Sequence, residues 1–154
     1  MITYLSGDAT KPDGEGDKIV AHVCNNVGAW GAGFVLSLSK KWPVTKQYYL
    51  DMRPYVLGNV GFIQVEPKII VANMIAQDGI GMARGVPLKY NHLGKCLEAV
   101  YNMAKNTNST VHMPRIGTGL AGGSWSIISQ IISSRMEDVP VFIYNYENAV
   151  SRKI

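Results

Sequence analysis

The sequence predicts a three-layer α/β domain on a mixed, mostly parallel sheet of six strands. Three observations carry this. The order strand, glycine loop, helix occurs twice, at residues 19–41 and 111–133. Residues 19–24 (Ile-Val-Ala-His-Val-Cys) are almost continuously apolar, as in a strand buried on both faces. Residues 60–65 and 69–76 are joined only by Glu66-Pro67-Lys68, a hairpin that adds an antiparallel neighbour. The chain has 154 residues, enough for one domain, 1–154, with a real core.

Taken in order, residues 2–5 form a short strand, and 7–17 a polar loop dense in turn residues. The 19–24 strand ends at Asn25-Asn26, and a glycine loop follows through Gly33. Residues 34–41 read as a helix stopped before Pro43, and 43–53 as a second helix. The hairpin comes next, then a long glycine-bearing polar loop over 77–87 of the kind that often carries function. Residues 90–106 place Leu93, Leu97, Val100, Tyr101 and Ala104 on one helical stripe. A strand over 111–116 breaks at Gly117, and Ser124 stands as the N-cap of a helix carrying Trp125, Ile128 and Ile132. Residues 139–145 are the last strand, and 151–154 a short basic tail.

Composition narrows the class. At 47% hydrophobic and 17% charged the chain is an ordinary globular one. No apolar run reaches the ~18 residues of a membrane helix. The N-terminus lacks a basic region and an apolar signal core, so a cytoplasmic protein is expected. Its two cysteines make neither a disulfide framework nor a metal set. The net charge of +4 is mild and favours anionic partners, its basic residues are scattered with no aromatic–basic ladder, and a small phosphorylated ligand explains it as well as a nucleic acid does. No metal, no cofactor, no membrane and no specific nucleic acid are expected, and the protein is expected to be a monomer.

The two glycine loops are the first functional candidates. Glycines allow positive φ and close approach of N–H groups to an anion, and a helix N-terminus adds partial positive charge. The alternative is a flexible turn between core elements. Gly117, Gly119 and Gly122 belong neither to a Walker loop nor to a dinucleotide fingerprint opening a βαβ half. Two such loops at the carboxyl ends of parallel strands would flank one crevice. Asp8, just after the first strand, either accepts from a ligand N–H or closes an Asx turn. His22 is either a core histidine or an acid–base or nucleophilic group near the crevice. His92 and His112 are weaker candidates, since Met113 can take the inward face in place of His112.

Four blocks in this order, Gly7-Asp8-Ala9-Thr10, His22-Val23-Cys24-Asn25-Asn26, Trp30-Gly31-Ala32-Gly33 and Pro114-Arg115-Ile116-Gly117-Thr118-Gly119-Leu120, resemble a macro domain over nearly the whole chain. The Trp-Gly-Ala-Gly and Met-Pro-Arg-Ile-Gly forms resemble the branch holding ADP-ribose 1″-phosphate phosphatases and terminal ADP-ribose glycohydrolases. The resemblance implies the α/β/α macro-domain fold. It implies that Asp8 accepts from the adenine amino group with the Ala9 amide nearby. Tyr144, Asn145 and Tyr146 would border adenine. Asn25 and Asn26 would approach the distal ribose, with Trp30, Gly31, Ala32 and Gly33 on its other side. Gly117, Thr118, Gly119, Leu120, Ala121 and Gly122 would wrap the pyrophosphate with backbone N–H groups, and Arg115 is a further ligand-binding position. His22 falls where the yeast-type phosphatase has a histidine. The glycohydrolases use a lysine after a middle strand and an aspartate in the second glycine loop. Here those places hold Ala76-Gln77-Asp78 and Ala121, so their lysine route does not carry over. The expected activity is hydrolysis of ADP-ribose 1″-phosphate to ADP-ribose and phosphate, with His22 as nucleophile or proton donor and Asn25 or Asn26 orienting the ribose. The alternatives are a non-catalytic ADP-ribose-binding module and a hydrolase acting on an ADP-ribosylated protein.

Overall fold

A computed structural model describes residues 2–83 and 85–146. The basic tail at 151–154 lies outside the described residues.

The apolar runs become six strands: β1 (Ile2–Ser6), β2 (Lys18–Asn25), β3 (Val60–Glu66), β4 (Ile69–Gln77), β5 (Thr110–Pro114) and β6 (Val141–Asn145). Four α-helices connect them: α1 (Phe34–Lys41), α2 (Val44–Asp51), α3 (Tyr90–Thr107) and α4 (Trp125–Arg135). The sheet order is β1-β6-β5-β2-β4-β3, and β3 alone runs antiparallel, to β4. The helix expected over 43–53 is shorter, because Pro43 occupies its N-cap and the chain leaves helical pairing after Asp51, ahead of Pro54.

Each face of the sheet carries its own core. Ile19, Ala21, Met74, Val111, Met113, Leu93, Leu97, Ile128 and Ile132 fill the space under α3 and α4. Val20, Val71, Ile75, Leu38, Trp42 and Tyr49 fill the space under α1 and α2. Alternate residues of β2 feed opposite cores, which explains why its sequence is apolar without alternating. His112 and Met113 are both fully buried. Met113 joins the core under α3 and α4. His112 stacks on Phe142 and bonds Tyr144 Oη through Nδ1 at 2.8 Å.

The topology places the crevice. β2 leads into α1, and its neighbour β5 leads into α4, in the opposite layer. The loops leaving these two strands therefore diverge, opening a cleft at the carboxyl ends. A register shift between Cys24 and Asn25 at the end of β2 turns the chain into the first loop.

Candidate functional site

Three joined cavities run along the carboxyl ends of β6, β5, β2 and β4. The first, about 320 Å³, is lined by Gly7, Asp8, Ala9, Phe34, Tyr144 and Tyr146 among others. The second, about 360 Å³, shares Gly33, Phe34 and Pro114 with it and adds His22, Arg115, Ile116 and the run from Gly117 through Ala121. The third, about 490 Å³, shares Ala32, Val35, Gln77 and Leu120 with the second and reaches Cys24, Asn25, Trp30, Ile80 and Met82. The sequence-predicted residues thus sit along one cleft, with three exceptions. Asn26, Gly122 and Asn145 line none of the three cavities.

At the first cavity the 7–17 loop is clamped to the sheet. Asp8 Oδ1 accepts from Thr10 N at 2.9 Å and from Thr10 Oγ1 at 2.8 Å, an Asx turn that faces the carboxylate toward the cavity's lining. Both bonds fall on Oδ1, so the Asx turn forms, and Asp8 also lines the cavity. Tyr144 Oη accepts from Asp13 N at 2.8 Å, so the ring that borders the cavity also pins the loop. Asn145 accepts from Arg115 Nε at 2.7 Å, and that guanidinium lies over the rings of Trp125 and Tyr4.

The second glycine loop presents backbone. Gly122 N and Gly123 N donate inward to Gly119 O and Gly117 O. The preceding amides of Thr118, Gly119 and Leu120 open a single 3-10 turn, Gly119–Ala121, where helical pairing leaves N–H groups without partners. Gly119 has φ +63 and an added Cβ would meet nothing within 4 Å, whereas one on Gly117 would come 2.5 Å from Leu88. Ser124 holds the N-cap position of α4 as expected, but its side chain makes no cap bond; its amide instead donates to Tyr90 Oη.

Among solved structures, a Streptomyces coelicolor macrodomain protein is 41% identical, with a TM-score of 0.85 over 96% of this chain and 100% of that one. The chain belongs to the macrodomain family. A Bacteroides thetaiotaomicron structure superposes on the macrodomain at a TM-score of 0.88 with 43% identity, covering 94% of this chain and 99% of its own. Thermosipho africanus DarTG in complex with ADP-ribose shares the fold at 16% identity and a TM-score of 0.68, over 84% of this chain and 38% of that one. No family model matches the sequence. Among curated relatives, Chromodomain-helicase-DNA-binding protein 1-like of Danio rerio is 30% identical over 97% of this chain. The macrodomain spans 16% of the length of that protein. The ADP-ribose 1″-phosphate phosphatase of Lodderomyces elongisporus is 27% identical over 80% of this chain and 86% of its own.

The macrodomain's histidine is deeply placed. His22 is 2% exposed, stacked edge-on against Trp30, with Nε2 2.5 Å from Asn73 Oδ1. Asn73 Nδ2 in turn donates to Thr45 O at 3.4 Å, which leaves its oxygen to accept from His22 Nε2–H and sets the imidazole as the Nε2–H tautomer. Burial lowers the His22 pKa to about 4, against the hydrogen bond that His22 donates to Asn73, which raises it. At neutral pH the ring is therefore uncharged and can accept a proton but has none to spare as an imidazolium. Burial also pushes the neighbouring Cys24 thiol well up, which keeps it protonated.

Asn25 lines the third cavity with its amide already occupied. Its Nδ2 donates to Ala29 O at 2.7 Å, and its Oδ1 accepts from Val27 N, Ala29 N and Tyr49 Oη. Asn26 bonds Asp78 Oδ1 and Gly79 N, tying the first glycine loop to the 77–87 loop. Both asparagines thus hold loops in this geometry. Two site residues escape sequence reasoning. Asn73 is matched to His22 by the β2–β4 register, a pairing that only the sheet order reveals. Tyr49 reaches from α2 to Asn25 and Gly28, and nothing in its local sequence sets it apart from Tyr48.

Proposed function

We propose that this macrodomain binds ADP-ribose along the cleft. Adenine would lie in the first cavity between Phe34 and Tyr144, with the Asp8 carboxylate accepting from its amino group. The pyrophosphate would rest on the amides of Thr118, Gly119 and Leu120. The distal ribose would enter the third cavity beside Trp30, Gly31 and Ala32. The observation that carries this reading is the order of the joined cavities: an aromatic end with one carboxylate, a backbone-donor middle, and a roomier terminal end beside Trp30. The Thermosipho complex with ADP-ribose supports it at the level of the fold. Titration calorimetry with ADP-ribose tests it: saturable heat at one site per chain is expected, and none at millimolar ligand would overturn the reading.

A second reading is catalytic: hydrolysis of ADP-ribose 1″-phosphate to ADP-ribose and phosphate. The curated yeast relative of that name supports it. In this reading His22, neutral at pH 7, is the proton acceptor or nucleophile, reached from the second cavity, and Asn25 and Asn26 hold the ribose-side loops in place. The proton-donor role does not suit a ring with a pKa near 4. Phosphate release from purified protein tests it, with His22→Ala expected to lower the rate at least about 100-fold. Turnover unchanged in that variant would remove His22 from the chemistry, and no turnover by the wild type would leave the binding reading alone.

A further inference from the structure

We propose that the terminal cavity is built for an uncharged apolar group, aryl or alkyl, carried on the distal ribose of an ADP-ribose conjugate. This rests on the ADP-ribose reading of the cleft. The first argument is room. The terminal cavity measures about 490 Å³ and the aromatic end about 320 Å³, although ribose is the smaller occupant. Ligand pockets enclose most of what they hold, so ribose alone leaves this one underfilled.

The second argument is the wall. Beyond Trp30 the cavity is bounded by Val35, Ile80, Met82 and Leu120. Ile80, Met82 and Leu120 are 63%, 62% and 80% exposed, a run of apolar surface at the mouth of the terminal cavity. These side chains share one rim, because the 77–87 loop lies against the second glycine loop. A Cβ added at Gly122 would fall 3.4 Å from Val86 and 3.8 Å from Met82 Sδ.

The third argument is charge. Among the described residues lining this cavity, none is ionised. Its Asn25 amide is engaged with its own loop, and Gln77 Nε2 donates to Gly79 O at 3.0 Å. A phosphate dianion placed here would lose water and meet no cation among the described lining residues. An apolar group would lose only unfavourable contact with water.

The test uses three ligands in calorimetry: ADP-ribose, and ADP-ribose bearing either a phenyl or a phosphonate group on C1″ through a carbon bond, so that neither is cleaved. The phenyl compound is expected to bind about tenfold more tightly than ADP-ribose, and the phosphonate no more tightly. In the double variant Ile80→Ser, Met82→Ser the phenyl advantage should vanish while ADP-ribose affinity stays within about threefold. Both side chains are exposed, so a thermal melt should match wild type. Equal affinity for phenyl and plain ligand, tighter binding of the phosphonate, or a phenyl advantage that survives the double substitution would each overturn the proposal alone. Loss of all three ligands in the wild type would overturn the ADP-ribose reading with it.

Discussion

Two glycines four residues apart do opposite jobs. Gly119 sits at φ +63 with open space where a side chain would go. Gly119→Glu should therefore cost only the ~1–2 kcal/mol of left-handed backbone, yet send a carboxylate into the proposed pyrophosphate cradle. A near-normal melt with no detectable ADP-ribose binding is expected; normal binding would mean that the loop does not hold the anion. Gly123 is different. Its added Cβ would lie 2.5 Å from Gly117 O and 2.4 Å from Leu88, so Gly123→Ala should destabilise the fold by roughly 1–3 kcal/mol in urea titrations. Asp8 permits a similar separation. Asp8→Asn keeps an oxygen for Thr10 and removes the charge. ADP-ribose affinity should drop about tenfold while the urea midpoint holds. A shifted midpoint at unchanged affinity would confine Asp8 to its turn. The sequence leaves the Asp8 alternatives open because one carboxylate could serve both, and local sequence does not show that the turn lies beside a cavity.

Strands were legible where apolar runs are long, and the two glycine loops between them line the middle and terminal cavities of the cleft. The faces of the strands were not legible. β2 is buried along almost its whole length, and a strand without alternation gives no sign of which residues look up or down. His22 could not be assigned from such a pattern, and neither could His112. The partners that decide these cases come from other elements. Tyr49 is the instructive one, for through it α2 holds the first glycine loop. Its hydroxyl donates to Asn25 and receives Gly28 N at 3.0 Å, while its ring stacks on Tyr55 at 4.8 Å. Tyr49→Phe keeps the stack and strips the loop of its anchor. Expected are a loss of about 1–3 kcal/mol in stability, faster amide exchange at Gly28 and weaker ADP-ribose binding. Unaltered exchange at Gly28 would show that the loop stands without α2.

At the scale of the molecule, two buried histidines tie stability to acidity. Burial lowers His22 to about 4, and it lowers His112 to about 4 with help from the charge of Lys18. The unfolded chain binds those protons near pH 6.5, above where the folded chain does. Stability is therefore complete above pH 6.5 and falls as pH drops toward 4, by up to ~1.4 kcal/mol per pH unit for each histidine. Urea midpoints at pH 7, 6 and 5 should fall in that order, and His112→Gln should flatten the fall; a level profile would place both rings in wetter surroundings. The two cores have a consequence of another kind. Trp30 of the first glycine loop belongs to the core under α1 and α2, and Ile116 and Ala121 of the second belong to the core under α3 and α4. In the empty protein the sheet stands between them, and substitutions in one core should add to those in the other. ADP-ribose bound as proposed, across both loops, would act as a bolt through the two layers. With it in place the cores would no longer keep separate accounts, and a methyl group removed beneath α2 would register in the grip of a loop that α2 never touches.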